Sequence, residues 1–449
     1  MRFSQFFLVA MFICLKGFSQ QPVKLITLDP GHFHAALVQK SMYPQVDPTV
    51  YVYAKKGSDL NAHLDKIKGY NAAAVAPTKW IEKVYEGDDY LTKMLQEKKG
   101  NVVVLAGNNQ LKTDYILQSI QSGYNVFSDK PMVIDESGFV KLKQAFTTAQ
   151  KNKLLLYDIM TERYEITTIL QRALSMQTAL FGTLQKGTVA EPAVTKESVH
   201  HFYKYVSGSV LTRPAWFLDT KQEGEGIVDV TTHLVDLVQW ECFPNTTINY
   251  QKDITINNAK SWNTTITKDQ FSELTKLNEI PSYLKPTTNA NNEISVLSNG
   301  EFNYTIKGVH AKVSVIWNYK APAGTGDTHY SIMRGTKANL IIRQGAEQQY
   351  KPTLYIEPLV ASVDFDKTAQ QIIATISEQY KGVSLKKNDK GYEVIVPESF
   401  KEGHESHFAR VTEKYLDYLL NHNMPSWEVP NMLAKYYTTT QAQKMAAKK

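Results

Sequence analysis

Short apolar runs alternate with helical patterns through residues 23–158, and this alternation constrains the fold more than any other feature. The runs are mostly apolar and are bounded by turn residues: Val23–Leu28, Val50–Ala54, Ala72–Ala76, Asn101–Ala106, Asn125–Ser128 and Leu154–Asp158. Between them lie three clear helical patterns: His32–Lys40, Thr113–Gln121 and Glu136–Gln150. Buried strands joined by helices predict a parallel, doubly wound α/β sheet. Such sheets bind ligands at the carboxyl ends of their strands, so the residues after each strand should carry the function.

Residues 1–19 have the pattern of a secretory signal peptide. Arg2 precedes the apolar run Phe6–Leu15, and Gly17-Phe18-Ser19 places small residues before a cleavage site near Gln20. The alternative is a membrane anchor, which needs about 20 apolar residues. We therefore predict Sec-type export to the periplasm or another extracytoplasmic space. No later stretch is apolar enough to predict a membrane span.

Composition excludes several classes of protein. Hydrophobic residues make up 43% of the chain, which is too many for a disordered protein. Removal of Arg2 and Lys16 with the signal peptide lowers the formal net charge from +6 to +4, and we predict no nucleic-acid partner. Cys14 would leave with the same peptide, and Cys242 alone cannot form an intramolecular disulfide.

The turn after the first strand lies where a dinucleotide fingerprint would stand. Of the three fingerprint glycines only the middle one, Gly31, is present, and that glycine lets the backbone approach a pyrophosphate. The alternative is a plain turn. No acid follows the second strand, where Lys55 and Lys56 fit either a 2′-phosphate or a solvated turn. The candidate cofactor-binding residues are Asp29, Gly31, His32, Phe33, His34, Asn108, Asn109, Lys130 and Pro131.

The segment after the fifth strand reads Asp129-Lys130-Pro131. A lysine at the carboxyl end of a central strand would point into the ligand crevice. The alternative is a surface lysine in a turn, which is the usual place for this residue.

The segment Gly224–Trp240 opens with glycines and continues as an amphipathic helical pattern. Asp229, His233 and Asp236 stand at i, i+4 and i+7, which places them on one face of a helix. A histidine beside a carboxylate is typical of a general base, because the carboxylate raises its proton affinity and fixes its tautomer. A metal site would need a further ligand, and a hydrogen-bonded structural histidine is the other alternative.

Together, the strand–glycine–helix turn, Asp129-Lys130-Pro131 and the pattern from Gly224 to Asp236 resemble the glucose–fructose oxidoreductase / inositol dehydrogenase / MocA-like family over residues 23–240. The resemblance implies a Rossmann domain, followed by an α/β domain with an open, mostly antiparallel sheet. It also implies NAD or NADP as cofactor, and Lys130, Asp229 and His233 as substrate-site residues. We place the domains at residues 20–158 and 159–449.

Polar and aromatic residues in the second half supply further candidates for a substrate site. Arg213, Trp216 and Asp219 precede the glycine turn and are placed to contact a sugar or polyol, although Trp216 could equally pack in a core. Gly403–His407 lacks the spacing of a zinc motif and predicts the start of a helix, with His407 as a possible substrate contact. We predict no metal site.

Secondary structure can also be predicted for the second domain. We expect strands at Glu293–Ile306, Ala311–Trp317 and Tyr392–Val396, a hairpin of His329–Met333 with Ala338–Arg343, and a helix at Phe408–Leu420. The polar segment Lys260–Thr287 predicts an insertion or long loop. A homo-oligomer formed through the open sheet is a further expectation from the resemblance.

These observations predict an oxidoreductase acting on a secondary alcohol of a sugar, polyol or glycoside. In this hypothesis His233 takes the hydroxyl proton, Asp229 orients and charges His233, and Lys130 stabilises the developing alkoxide. Because free NAD is scarce outside the cytoplasm, export favours a tightly bound cofactor that is recycled within one turnover. The alternatives are an extracytoplasmic carbohydrate-binding protein on the same fold and an NAD-dependent glycoside-cleaving enzyme.

Overall fold

The computed structural model describes residues 22–206 and 209–448. The predicted signal peptide and Cys14 lie outside these residues. The first sheet is parallel, with strand order β3-β2-β1-β4-β5-β6, as the alternation predicts. Its strands are β1 Leu25–Leu28, β2 Thr49–Ala54, β3 Ile81–Glu86, β4 Val102–Leu105, β5 Asn125–Asp129 and β6 Leu156–Ile159; the helices between them are α1 His34–Leu37, α2 Ser58–Asn71, α3 Tyr90–Glu97, α4 Asn109–Gln121 and α5 Glu136–Asn152.

The predicted third strand, Ala72–Ala76, is wrong. These residues follow α2 as an irregular segment, and Val75 is 85% exposed. The true β3, Ile81–Glu86, pairs only with β2 at the edge of the sheet and is largely exposed. A solvated edge strand need not be apolar, so β3 leaves no continuous apolar run in the sequence.

The second sheet has nine strands, in the order β10-β11-β12-β7-β13-β14-β15-β17-β16. Every neighbouring pair is antiparallel except β12 with β7, which is parallel. The predicted mostly antiparallel sheet is therefore confirmed. The elements in chain order are α6 Ile166–Ser175, β7 Val194–Tyr203, the short pair β8 Tyr205–Val206 and β9 Ser209–Val210, α7 Thr231–Cys242, α8 Tyr250–Asp253, β10 Ile254–Ile266, α9 Lys268–Thr275, β11 Ile294–Ile306, β12 Val309–Lys320, β13 Thr328–Arg334, β14 Ala338–Arg343, β15 Thr353–Pro358, α10 Val363–Gln379, β16 Ser384–Asn388, β17 Gly391–Ile395, α11 His404–Asn421 and α12 Glu428–Ala446.

Alternating burial explains the central strands of this sheet. Phe302, Tyr304 and Ile306 of β11 point into the core, and the residues between them are partly exposed. The predicted hairpin is confirmed as β13 and β14. The predicted loop Lys260–Thr287 is wrong, because it contains half of β10 and all of α9, whose Phe271 is fully buried.

Helix α11 packs on the first sheet although it lies far along the chain. Phe408, Val411 and Leu416 belong to the core that contains β1, β4 and β5, and the ring of Tyr415 stacks on Phe127 at 4.4 Å. The division predicted at residue 158 falls within β6, and residues beyond it complete the hydrophobic core of the first sheet. None of the helices in residues 22–206 and 209–448 has the length and hydrophobicity needed to cross a membrane.

Buried ion pairs join the two halves of the chain. Arg163 binds Asp236 of α7 at 2.6 Å and Glu428 of α12 at 3.0 Å. Lys435 of α12 binds Asp236 at 2.9 Å and Asp158 of β6 at 2.6 Å. All five side chains are at most 9% exposed, so each charge depends on its partners rather than on water.

Candidate active site

A cavity of about 610 Å³ opens at the carboxyl edge of the parallel sheet. Its walls come from the turns after β1, β2 and β4 on one side and from residues 211–217 on the other. A cleft at this edge is where a doubly wound sheet binds its ligand. The predicted residues that line it are Asp29, Gly31, His32, Phe33, Asn108, Arg213 and Trp216, together with Lys55 and Lys56.

Asp29 replaces the first fingerprint glycine and adopts its backbone geometry, with φ at +48°. Its carboxyl accepts hydrogen bonds from Tyr115 Oη at 2.8 Å and from Tyr90 Oη at 3.5 Å. Burial raises the pKa of Asp29, and the hydrogen bonds from the two tyrosines and the charge of Lys55 oppose that shift. The tyrosines thus engage the carboxyl that would otherwise oppose a pyrophosphate.

Gly31 lies where two side chains from distant parts of the chain meet. A Cβ there would stand 3.1 Å from both Asp59 Oδ2 and Trp216 Cζ2. Trp216 Nε1 donates to Asp59 Oδ2 at 2.8 Å, so this hydrogen bond joins the second domain to α2 at the wall of the cavity. The absence of a side chain at Gly31 keeps this part of the cleft open.

His32, His34 and Asp129 form a compact polar cluster next to the cavity. His34 Nδ1 lies 2.9 Å from Asp129 Oδ2, and His32 Nδ1 lies 3.4 Å from the same oxygen. Burial lowers the pKa of both imidazoles, which are therefore neutral at pH 7. Burial alone would raise the pKa of Asp129, but the two histidines and Lys112 hold it well below its usual range.

Lys130 and Asp229 form an ion pair of 2.5 Å between Nζ and Oδ1. Burial works against the ammonium, but Asp229 and Asp129 outweigh it and raise the pKa of Lys130. Lys130 therefore remains charged. The following peptide bond, Lys130–Pro131, is cis.

The predicted pairing of Asp229 with His233 is wrong. The helical spacing used for that prediction does not apply, because α7 begins at Thr231 and Asp229 lies in the turn before it. From that turn Asp229 reaches Lys130 instead. Asp236, the third residue of the predicted stripe, faces Arg163 and Lys435 in the interior.

The carboxylates of Asp129 and Asp236 act on His233 but do not outweigh its burial. Its Nδ1 is buried and has no hydrogen-bond partner among the described residues. Burial, followed by the charge of Lys130, holds the pKa of His233 well below its usual value. The imidazole is therefore neutral.

Of the remaining predicted residues, some line the cavity and others make hydrogen bonds that hold its walls in place. Asn108 lines the cavity and caps α4, and Asn109 is buried with its amide donating to Glu223 O at 2.7 Å. Arg213 donates to the carbonyls of Phe202 and His201. Its guanidinium lies over an aromatic ring, and burial lowers its pKa to about 10.

Asp219 and His407, like Lys130, Asp229 and His233, are not among the residues that line the cavity, so the cavity gives no support to the substrate contacts predicted for the first two. The carboxylate of Asp219 accepts from Lys221 N and Gln222 Nε2 within its own turn. His407 is buried in the first turn of α11, near Glu402 and Arg410. Helix α11 begins at His404 after Gly403, which confirms the predicted helix start. The ring of His404 lies 5.2 Å from the ring of His34, so His404 is the histidine of this helix that approaches the site.

Two charged residues of the site were missed in the sequence. Lys112 is 2% exposed and donates to Asp129 O at 3.3 Å. Glu223 accepts from Asn109 Nδ2 at 3.1 Å, and burial and Asp229 raise its pKa well above the usual value. Lysine on a helix is normally solvated, so only the fold reveals that Lys112 is buried.

Comparison with known proteins places the chain in a family. The family profile described as "Putative oxidoreductase C terminal domain" matches residues 170–447. No curated protein matches the chain. The crystal structure of a "putative oxidoreductase" from Parabacteroides merdae shares 54% sequence identity, covering 96% of this chain and 98% of that one, with a TM-score of 0.93.

More distant structures share the fold. A levoglucosan dehydrogenase in complex with NADH and levoglucosan has 10% identity and a TM-score of 0.59, covering 95% of this chain and 98% of its own. A 3-ketoreductase from Actinomadura kijaniata, in complex with NADP and TDP-benzene, has 13% identity and a TM-score of 0.57, covering 94% and 98%. The chain thus belongs to the oxidoreductase family that this C-terminal domain defines, within the glucose–fructose oxidoreductase, inositol dehydrogenase and MocA-like group.

Proposed function

We propose that the protein is an NAD(P)-dependent oxidoreductase acting on a secondary hydroxyl of a sugar, polyol or glycoside. The observation that carries the proposal is the juxtaposition of a charged lysine with a neutral histidine. Asp229 holds Lys130 as an ammonium directly after β5, and the charge of Lys130 lowers the pKa of His233 in the first turn of α7. Neither side chain lines the cavity, which opens at the same edge of the parallel sheet as Lys130.

The cavity fits a nicotinamide nucleotide in size and position. Its volume of about 610 Å³ lies within the usual range of cofactor sites. Gly31 and Asn108 would hold the phosphate part of the molecule, and Lys55 and Lys56 line the wall after β2 where the ribose would lie. When bound, the nicotinamide accepts or returns a hydride.

Three protein side chains would supply proton transfer, stabilisation of the alkoxide and positioning of the lysine. His233 would take the hydroxyl proton, because its ring is uncharged and its Nδ1 has no hydrogen-bond partner among the described residues. Lys130 would stabilise the negative charge that develops on the substrate oxygen. Asp229 holds the Lys130 ammonium in place, which replaces the role first predicted for it beside His233.

The substrate class is supported by the resemblance and by the distant neighbours. The structures of the levoglucosan dehydrogenase and the 3-ketoreductase contain a nicotinamide cofactor, and levoglucosan is bound in the first. Both folds extend over nearly the whole of this chain. A hydroxylated ring bearing a secondary alcohol is therefore the substrate class we propose.

The proposal includes an extracytoplasmic location, for which the signal-peptide pattern of residues 1–19 is the support. Outside the cytoplasm a dissociating cofactor would be lost after one turnover. We therefore propose a tightly held NAD(P) that is reduced and reoxidised on the protein.

Cofactor release tests this function directly. The purified protein is denatured, and the supernatant is examined by absorbance and mass for NAD(H) or NADP(H). Released nucleotide, or binding of added nucleotide, is the expected result. A protein that carries none and binds none would instead favour the carbohydrate-binding alternative.

Substitution of the histidine tests the chemistry. His233→Ala should lose at least about 10²-fold in turnover with a sugar or polyol substrate, because general base catalysis supplies that much. His310→Gln, a partly exposed position on β12, is the matched control and should keep normal turnover. Near-normal turnover of His233→Ala would refute the role assigned to His233. If the wild-type protein cleaves a glycoside and His233→Ala does not, the protein would instead be the glycoside-cleaving enzyme.

A further inference from the structure

Three donor atoms at the start of α1 and the end of β5 converge on one point. His32 Nδ1, His34 Nδ1 and an oxygen of Asp129 all lie within 4.8 Å of one another. The two histidines come from one turn, and Asp129 comes from a strand 95 residues later than His34. We propose that these three side chains form a binding site for a divalent cation of the zinc type.

The donor set matches the chemistry of such an ion. Two imidazoles and one carboxylate are the protein ligands of many zinc sites in which a further position is kept for water or substrate. Donors bound about 2.0–2.1 Å from a tetrahedral ion lie roughly 3.3 Å from one another. The separations of 2.9 Å and 3.4 Å from the imidazole nitrogens to Asp129 Oδ2 bracket that value. The two imidazole nitrogens lie within 4.8 Å of each other, so the three donors would have to close around the ion to bind it.

His32 supplies a second, independent indication. Its Nδ1 is buried without a hydrogen bond of good geometry to any described residue, and the nearest acceptor, Asp129 Oδ2 at 3.4 Å, is already bonded to His34 Nδ1. A buried ring nitrogen without a partner costs free energy, and ligation would remove that cost. The same histidine lines the large cavity, so the remaining coordination position would face it.

Surrounding groups support the geometry of the cluster. The other oxygen of Asp129 accepts from Lys130 N at 2.9 Å, which fixes the carboxylate plane. The ring of His34 lies 4.6 Å from Phe408 and 5.2 Å from His404, which hold the imidazole in its orientation. Such supporting contacts are typical of metal ligands.

The nearby positive charges do not oppose a cation. Lys130 is paired with Asp229, and Lys112 lies near the carboxylates of Asp129 and Glu223. The site therefore combines two imidazoles, one carboxylate and two lysines that have carboxylates nearby. The proposal is independent of the proposed redox function, since it concerns only binding of the ion, and it departs from the sequence-based expectation of no metal site.

Metal titration tests the proposal. The full chain is stripped with a chelator and titrated with Zn²⁺ by calorimetry, and with Co²⁺ by visible absorbance, which reports a tetrahedral ligand field. We expect one ion per chain and no comparable uptake of Mg²⁺, which prefers all-oxygen ligands. Absence of Zn²⁺ and Co²⁺ binding to the wild-type protein would overturn the proposal without affecting the cofactor-release result.

Two variants locate the site. Asp129→Asn keeps the shape of the side chain and His32→Gln changes a residue at the cavity wall; each should weaken Zn²⁺ binding at least tenfold. His310→Gln is the matched histidine control and should bind as the wild type does. Equal binding by all four proteins would place the ion elsewhere and overturn the proposal. If a variant fails to fold by circular dichroism, the other variant and the wild-type cobalt spectrum decide.

Discussion

At the scale of single residues, the site depends on charges that are removed from water. Lys130 and Asp229 are 99 residues apart in the chain, and their side chains are 11% and 6% exposed. In contrast, His233 and His63 are buried without charge. Paired charges and neutral histidines are the two ways in which a protein tolerates ionisable groups in its interior.

The ion pair of Lys130 gives the first residue-scale prediction. Lys130→Met should lower turnover by roughly 10²–10³-fold, because it removes the group that stabilises the alkoxide. It should also lower the free energy of unfolding by about 3–5 kcal/mol, since Asp229 is left buried without a partner. Turnover assays and denaturant unfolding measure the two effects.

Lys141→Met is the control for this prediction. Lys141 pairs with Asp114 at 2.6 Å, but both side chains are more than 40% exposed, so the change should cost less than about 1 kcal/mol. If Lys130→Met and Lys141→Met were equally stable and active, the proposed role of Lys130 would be wrong.

His63 gives a prediction about pH. Both of its ring nitrogens are buried without a partner, and burial lowers its pKa to about 4. The unfolded chain, with a pKa near 6.5, binds protons more readily, so stability is lost as the pH falls from about 6.5 to 4. This group alone should contribute roughly 3 kcal/mol to the loss.

The contribution of His63 is isolated by comparing His63→Leu with the wild type. Urea unfolding at pH 8, 6 and 4.5 should show a shallower decline for the variant, because leucine has no proton to bind. Parallel curves for the two proteins would show that His63 is already charged or solvated in the native state.

At the scale of elements, close backbone contacts fix the turn that carries Asp229. The turn that carries Asp229 packs against β11, where a Cβ at Gly226 would stand 1.7 Å from Ser298 O. The amide of Gly226 donates to Leu297 O at 3.1 Å, which fixes the turn against the strand. Helix α7 starts directly after this turn, so the position of β11 determines where Asp229 and His233 lie.

Gly226→Ala should therefore disturb the site as well as the fold. The added methyl group must push the turn away from β11, at a cost of roughly 1–3 kcal/mol, and Asp229 would move with it. Gly69→Ala is the control, because its Cβ would meet nothing within 4 Å and alanine favours a helix. Denaturant unfolding and turnover should both decline for the first variant and not for the second; a stable, active Gly226→Ala protein would disprove this packing argument.

At the scale of the whole molecule, α11 and α12 hold the two sheets together. Helix α11 completes the core of the first sheet, and α12 carries Lys435 and Glu428 into the buried ion network. The first sheet therefore depends on residues more than 240 positions further along the chain. We expect residues 22–160 alone not to form the native core.

Lys435→Met tests this long-range network. The substitution leaves Asp158 and Asp236 with fewer partners in the interior and should lower the free energy of unfolding by about 3–5 kcal/mol. Lys444→Met, on the exposed side of the same helix, breaks only a solvated pair with Glu136 and should cost less than about 1 kcal/mol. Similar denaturation midpoints for the two variants would contradict the role assigned to the network.

Much of the first sheet could be predicted because its information is local. Apolar runs identified β1, β2, β4, β5 and β6, and Lys130 was recognised from its place at the end of β5. The edge strand Ile81–Glu86 and the strand within Lys260–Thr287 were missed, because exposed strands carry no continuous apolar signal.

By itself, the sequence determined the parallel sheet, the family resemblance and the residue types at the strand ends. Only the tertiary structure decided which of those residues meet. Asp229 pairs with Lys130 rather than with His233. His404, and not the predicted His407, approaches the site beside His34, and Lys112 is buried next to Asp129. Periodicity specifies which face of an element a residue occupies. Contacts between residues distant in the chain depend on the relative positions of the helices and turns, and these positions are set by packing across the whole chain.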